Sequence, residues 1–318
     1  MAALSKCCFV IVVALLLSPS PVFADSGEQV SFEFKSGFWI NLHHFLFHLS
    51  IEDPAAEHVT LVKLEPSQAQ DWSQAVSYYR KTFEGKDLLQ REMTRIKNAL
   101  GDAGNDSSIS VTSLDAELVS VLEAAAPVYR VQWWTSHDQS NRLWLDQLVR
   151  LITINESLVK TRLSEVYQVE WPDARIRADV VYHANWAGAY TTLYPTRITI
   201  SSKDDDQSAE ERLELLFHEA SHALVGKIQD AIGDRLHSVE KILPRKSLWH
   251  AVLFYTTGEI VRSVLPGYTP YAHTHGLWDR AWPDHLSALE SEWKPYLDGD
   301  KEFDAAIDSL VDVLAVDP

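Results

Sequence analysis

Cysteine is nearly absent from this chain: there are two among 318 residues, Cys7 and Cys8, side by side near the N-terminus. Both fall in a segment expected to be removed, so residues 25–318 contain no thiol. That excludes disulfides as a source of stability and excludes zinc sites built on cysteine. Any metal has to be held by histidine and carboxylate. Basic residues are also in short supply, 28 Lys and Arg against 45 Asp and Glu, giving a formal net charge of −17. An acidic surface of that size repels phosphate backbones and anionic lipid, so nucleic acid is not an expected partner. Past the leader no apolar run is long enough to span a bilayer. Internal repeats, heptads and low-complexity tracts are missing too, which argues against solenoid and coiled-coil architectures.

What is present begins with that leader. Lys6 precedes an apolar run from Cys7 to Leu17, Ser18-Pro19-Ser20-Pro21 breaks it, and Val22-Phe23-Ala24 offers a cleavage site. This is the layout of a secretory signal peptide cut after Ala24, with an apolar run too short to stay as an anchor. The expected location is therefore secreted or periplasmic. Asn105-Asp106-Ser107 and Asn155-Glu156-Ser157 match the glycosylation sequon.

The first half reads as helical. Residues 36–50 are aromatic and histidine-rich and predict a buried helix, with His43, His44 and His48 hydrogen-bonded in a core. Helical periodicity continues over 67–83, 87–100, 114–125 (ending before Pro127) and 139–167. Trp133 and Trp134 read as packing residues, as do Trp278, Trp282 and Trp293 further on. Around Arg175 the texture changes. Stretches 176–182, 189–194 and 196–201 are rich in β-branched and aromatic residues and predict a small sheet, with Pro195 suited to an edge. Asp204-Asp205-Asp206 lacks the spacing of a calcium loop and reads as solvated.

Directly after the sheet stands His218-Glu219-Ala220-Ser221-His222. On a helix the i, i+4 spacing brings both imidazoles to one face, where they can share a tetrahedral ion. Glu219 then sits beside the metal without ligating it, placed to take a proton from water. Ser208 followed by Glu211 forms a capping-box start, and the apolar residues Leu213, Leu216, Phe217, Ala220, Ala223, Leu224 and Ile228 keep helical spacing toward Gly233.

A catalytic site needs a third protein ligand, with the fourth position left open. Val225 and Ile228 stand where a metzincin has glycine and histidine, which removes that arrangement. The next helix, predicted over 249–265, holds Glu259 well inside an apolar stretch, and a carboxylate there needs a partner that a metal would supply. The alternative is an i, i+3 pair of Glu259 with Arg262. His250 is the next candidate ligand and His237 a weaker one.

The motif followed by a helix bearing Glu259 resembles the gluzincin branch of the zincin metallopeptidases. The resemblance covers about residues 176–265 and implies zinc held by His218, His222 and Glu259, with Glu219 as general base. The chain lacks the Asn-Glu-x-x-Ser-Asp sequence of the thermolysin group and the Gly-x-Met-Glu-Asn sequence of the M1 aminopeptidases, so no narrower family is implied. The activity implied is hydrolysis of a peptide or protein substrate; the alternatives are a zinc hydrolase acting on another amide or ester, and a non-enzymatic secreted binding protein that retains the helix. A donor for the oxyanion is sought among Tyr268, Tyr271, His273 and His275, with Tyr271 as first choice and Tyr255 and His250 as helical alternatives. The expected architecture is α+β and mostly helical: a signal peptide over 1–24, a helical region over 25–172, and over 173–318 a zincin-like core of a small sheet and two metal-bearing helices.

Overall fold

A computed structural model describes residues 30–51, 64–109, 113–185, 187–203, 207–244 and 247–317. The leader and the Asp204–Asp206 run lie outside the described residues. The fold is α+β and mostly helical. Strand β1 (Phe32–Lys35) leads into α1 (Phe38–Ile51), followed by α2 (Pro66–Phe83), α3 (Arg91–Ala103), α4 (Ala116–Tyr129) and α5 (Thr135–Tyr167). Strands β2 (Ile176–Val181), β3 (Ala189–Thr192) and β4 (Arg197–Ser201) precede α6 (Ala209–Ser221), α7 (Gly226–Ser238) and α8 (Leu248–Val264). Two single-turn helices, α9 (Tyr271–Thr274) and α10 (Leu277–Arg280), precede a continuous helical run in which α11 (His285–Ala288) passes through a π-helical stretch, Leu289–Trp293, into α12 (Lys294–Leu297), and α13 (Phe303–Leu314) closes the chain. No described helix is long and apolar enough to cross a membrane.

The strand order is β1-β2-β4-β3, with β1, β2 and β4 parallel and β3 antiparallel at an edge. Side chains alternate across a strand, so the sheet has two faces. On one, Phe32, Ile176, Ala178, Val180, Ala189, Ile198 and Ile200 share a core with α5, α6, α7 and α8. On the other, Val181 and Tyr190 join the core built by α1 to α4. The sheet is thus a middle layer between two helical layers. The expected boundary at 172/173 falls in the α5–β2 connection, and β1 and α5 from its N-terminal side share a core with α6 and α8.

Several elements differ from their sequence reading for identifiable reasons. Pro127 does not end α4. A π-helical stretch, Arg130–Trp134, follows directly and runs into α5. Such a bulge lets a helix bend around a missing donor instead of stopping. Four-residue β1 has little local pattern and exists through pairing with β2, over 140 positions away. The predicted long metal helix is two helices. α6 has the expected capping box, Glu211 N to Ser208 Oγ at 3.1 Å and Ser208 N to Glu211 Oε2 at 2.9 Å. It ends at Ser221, whose hydroxyl bonds back to Phe217 O at 2.7 Å, and a tight turn redirects the chain into α7. Gly233 therefore lies inside α7 rather than beyond a helix end.

His43 and His44 are core residues as expected. His43 Nδ1 meets Tyr79 Oη at 2.9 Å, and His44 meets Ile40 O and Tyr190 Oη at 2.8 Å each. His48 stacks on His183 with ring centroids 3.8 Å apart. None of them joins the motif histidines. Of the two sequons, Asn155 is buried and its Nδ2 donates to Leu151 O at 2.9 Å. Asn105 is exposed, with Oδ1 accepting from Phe38 N at 2.8 Å at the start of α1.

Candidate metal centre

Helix α6 is fixed before its histidines are considered. Phe217 packs edge-on against Phe32 of β1, with centroids 5.5 Å apart, and against Trp171 at 6.0 Å. Burying an aromatic of this size stabilises by about 1.5–3 kcal/mol. One face of the helix then presents Glu211, Glu214, His218 and His222 at spacings of three, four and four residues. His222 is the C-cap but keeps right-handed helical torsions, so the i, i+4 relation survives and the two rings lie 5.3 Å apart.

The residue that completes the cluster comes from the first turn of α8. His250 Nε2 lies 3.2 Å from His218 Nε2, and one nitrogen from each of His218, His222 and His250 falls within 4.8 Å of the others. Two nitrogens bound to a tetrahedral zinc at 2.0–2.1 Å would stand about 3.3 Å apart, so the His218–His250 separation fits a shared ion without rearrangement. Burial is the main reason all three imidazoles hold protons weakly: His218 falls well below its usual value, His222 to about 3 and His250 to about 4. Each is neutral at pH 7 and offers a lone pair, as a metal ligand must. Aromatic rings close the site: Phe254 lies 3.7 Å from the His218 ring, and Trp249 and Trp282 lie 5.0 and 5.6 Å from His250.

Glu259 is not in this cluster. It comes nine residues after His250 on the same helix, which places it about 180° around the axis and about 13.5 Å along it. Its carboxylate pairs with Arg262 and lines a polar groove with Tyr255, Tyr268, His273 and Lys294. The i, i+3 alternative is what the structure contains, and it is His250 that joins the two motif histidines. His237 is exposed near the end of α7.

Glu219 is 5 % exposed and stands beside the histidines, with Oε2 at 3.9 Å from His222 Nε2. Burial raises its pKa to about 7. Thr191, on edge strand β3, places its hydroxyl 2.7 Å from Glu219 Oε2 and 2.9 Å from the Glu219 backbone oxygen. Sequence reading missed Thr191, although the alternation of β3 was its signal: Tyr190 and Thr192 face the other layer, which leaves 191 toward α6. If the cluster holds a metal and Glu219 takes a proton from water, a Thr191→Val variant should keep the metal and lose about tenfold in kcat at unchanged KM, because the carboxylate is no longer oriented. Leaving a buried carboxylate oxygen short of a partner should also cost about 1–3 kcal/mol of stability, read from chemical denaturation. Wild-type kcat in the valine variant would remove Thr191 from the site.

Tyr271 begins α9 and is one ring removed from the histidines: it lies 6.5 Å from Phe254, which covers His218, and stacks on His275 at 4.0 Å. Its backbone N–H donates to Glu214 Oε2 at 2.9 Å, and Tyr268 Oη donates to the same oxygen at 2.7 Å. His275 Nε2 meets Glu211 Oε1 at 3.0 Å. Two carboxylates of α6 therefore anchor the 268–275 segment one and two turns ahead of His218. Gly258 permits this close approach, since a Cβ there would lie 2.7 Å from Pro270 Cβ and 3.2 Å from Glu214 Oε1.

Glu214 is fully buried, and burial is the main cause of a pKa raised from 4.5 to about 7. Between those values the folded state keeps a proton that the unfolded chain has lost, so this group makes stability fall as pH rises through that window. Glu214→Gln cannot ionise. The difference in unfolding free energy, wild type minus variant, should therefore drop by about 2–3 kcal/mol from pH 4.5 to 8. A difference that stays constant with pH would mean Glu214 is ionised throughout.

Compared with protein-family models, with curated proteins and with solved structures, the chain matches none.

Proposed function

We propose that this chain is a zinc-dependent hydrolase of the zincin type that cleaves peptide bonds, exported by its N-terminal leader to the periplasm or the cell exterior. The observation that carries the reading is the convergence of three neutral imidazoles, His218 buried and His222 and His250 half-buried, with the Glu219 carboxylate beside them. Three protein ligands rather than four is the catalytic rather than the structural pattern of zinc sites. With histidine as third ligand the donor set departs from the gluzincin one, so the reading is the broader zincin class.

A divalent ion held there supplies Lewis acidity, making a water acidic near neutral pH and polarising a carbonyl. The protein's share is positional. Thr191 occupies Glu219 Oε2, and Glu219 Oε1, which has no protein hydrogen bond among the described residues, is left to take the proton from water and return it to the leaving amine. Phe254, Trp249 and Trp282 limit water around the histidines, which strengthens each electrostatic interaction inside. Edge strand β3 runs beside the metal helix, so an extended peptide has a strand to pair with. Hydrolysis of a mixed peptide library by zinc-loaded protein, stopped by a chelator and restored by zinc, tests the reading. A library left intact by protein with full zinc occupancy would overturn it.

A further inference from the structure

Beside the histidine cluster lies a second feature that the chemistry above does not use. A cavity of about 390 Å³ opens between α7 and residues 241–243 and 248–249, lined by Ile232, Leu236, Ile242, Leu243, Leu248 and Trp249. Among the described residues its lining is apolar apart from Gln229 and Lys241. The outer wall is held in place, because Ile242 and Val316 exchange backbone hydrogen bonds of 3.0 and 2.9 Å. The inner wall is Trp249, whose ring lies 5.0 Å from that of His250 and 5.7 Å from that of His222. One indole therefore separates the cavity from the metal ligands. An extended chain advances about 3.3–3.6 Å per residue. A substrate with its reacting bond at the histidines would place a neighbouring side chain at this cavity.

Lys241 gives the cavity a sign. In a chain of net charge −17 it forms no ion pair among the described residues, although it lines an otherwise apolar wall. A cation at the rim of an apolar pocket suits a group that couples a hydrocarbon side chain to an anion. We propose that this cavity binds the C-terminal residue of a peptide substrate, its apolar side chain among Ile232, Leu236 and Leu248 and its free carboxylate at Lys241. The proposal rests on the peptidase reading for its role, but its binding test does not depend on turnover. It implies preference for chains ending in leucine or a similar residue over amidated or acidic ends.

Gly233 supplies the decisive variant. It is exposed on α7 at the cavity edge, and a Cβ built on it meets nothing within 4 Å. Gly233→Phe should therefore fill the cavity without disturbing the fold, and a glycine replaced within a helix gains propensity. The probes are N-acetyl-leucine, N-acetyl-leucine amide and N-acetyl-aspartate, followed by saturation-transfer NMR on the full-length protein. N-acetyl-leucine should bind with a dissociation constant of about a millimolar, given its few heavy atoms. The amide should bind about fivefold more weakly and the aspartate not measurably. Gly233→Phe should abolish binding, and Lys241→Gln should weaken the acid to the level of the amide. Circular dichroism and unchanged zinc content would certify both folds.

Absence of N-acetyl-leucine binding to wild type, or equal binding to Gly233→Phe, overturns the site. Equal affinity for acid and amide overturns the role of Lys241. Binding with this profile in a protein that hydrolyses nothing would retain the cavity and remove the peptidase reading. Hydrolysis indifferent to Gly233→Phe would do the reverse.

Discussion

A His250→Ala variant is expected to purify without stoichiometric metal, while Glu259→Gln keeps the wild-type content. The two residues sit on one helix, and the contrast follows from its geometry. His250 shares the space between His218 and His222, with a nitrogen 3.2 Å from that of His218. Removing it leaves two ligands, and an affinity loss of at least ~100-fold is expected, since even outer-shell changes cost 10–100-fold. Glu259 has Arg262 as partner and shares its groove with Lys294 and Glu290, and none of His218, His222 and His250 lines that groove among the described residues. Its replacement breaks one partly exposed ion pair, a change of about 0–1 kcal/mol in stability. Metal analysis after dialysis, together with zinc titration of the stripped proteins, reads both. Wild-type zinc affinity in His250→Ala would dissolve the three-histidine site, and metal loss in Glu259→Gln would restore the carboxylate as ligand.

This contrast also shows where sequence reasoning reached its limit. The pairing of His218 with His222 is a local property: four residues on a helix determine it, and Ser208 and Glu211 announce where that helix starts. Helix α8 was equally legible from its apolar spacing. Which face of α8 meets α6 is not local. His250 and Glu259 differ by half a turn of the helix wheel, and only the packing of α8 on α6, α5 and the closing helices chooses between them. An apolar stretch around Glu259 suggested a buried carboxylate needing a metal, but Arg262 one turn on satisfied it instead. Glu214 was the carboxylate that is fully buried, and it went unremarked because in sequence it is one acid among several at the start of α6. Strand β1 escaped notice for a similar reason, as its pairing partner is supplied by residues far along the chain. The sheet strands that follow in sequence, β2 to β4, were legible because β-branched residues and turn breaks lie within a short window.

Glu219→Gln should fold, bind zinc as wild type does, and hydrolyse peptides at least ~1,000-fold more slowly. Glutamine is nearly isosteric, and its amide oxygen can accept from the Thr191 hydroxyl that now bonds Glu219 Oε2 at 2.7 Å. The side chain is 5 % exposed, so a change in shape would be felt in the core, and a change in charge alone is the cleaner test. What glutamine lacks is a basic oxygen, so no group beside His222 can take a proton from water. Losing the ionisable group should not weaken folding, because burial already disfavours the charged carboxylate and raises its pKa to about 7. Loss of rate with zinc retained places Glu219 at the proton transfer. Equal loss of rate and zinc would make it a structural support of the cluster, and a rate within twofold of wild type would mean that the three histidines serve some end other than the activation of water.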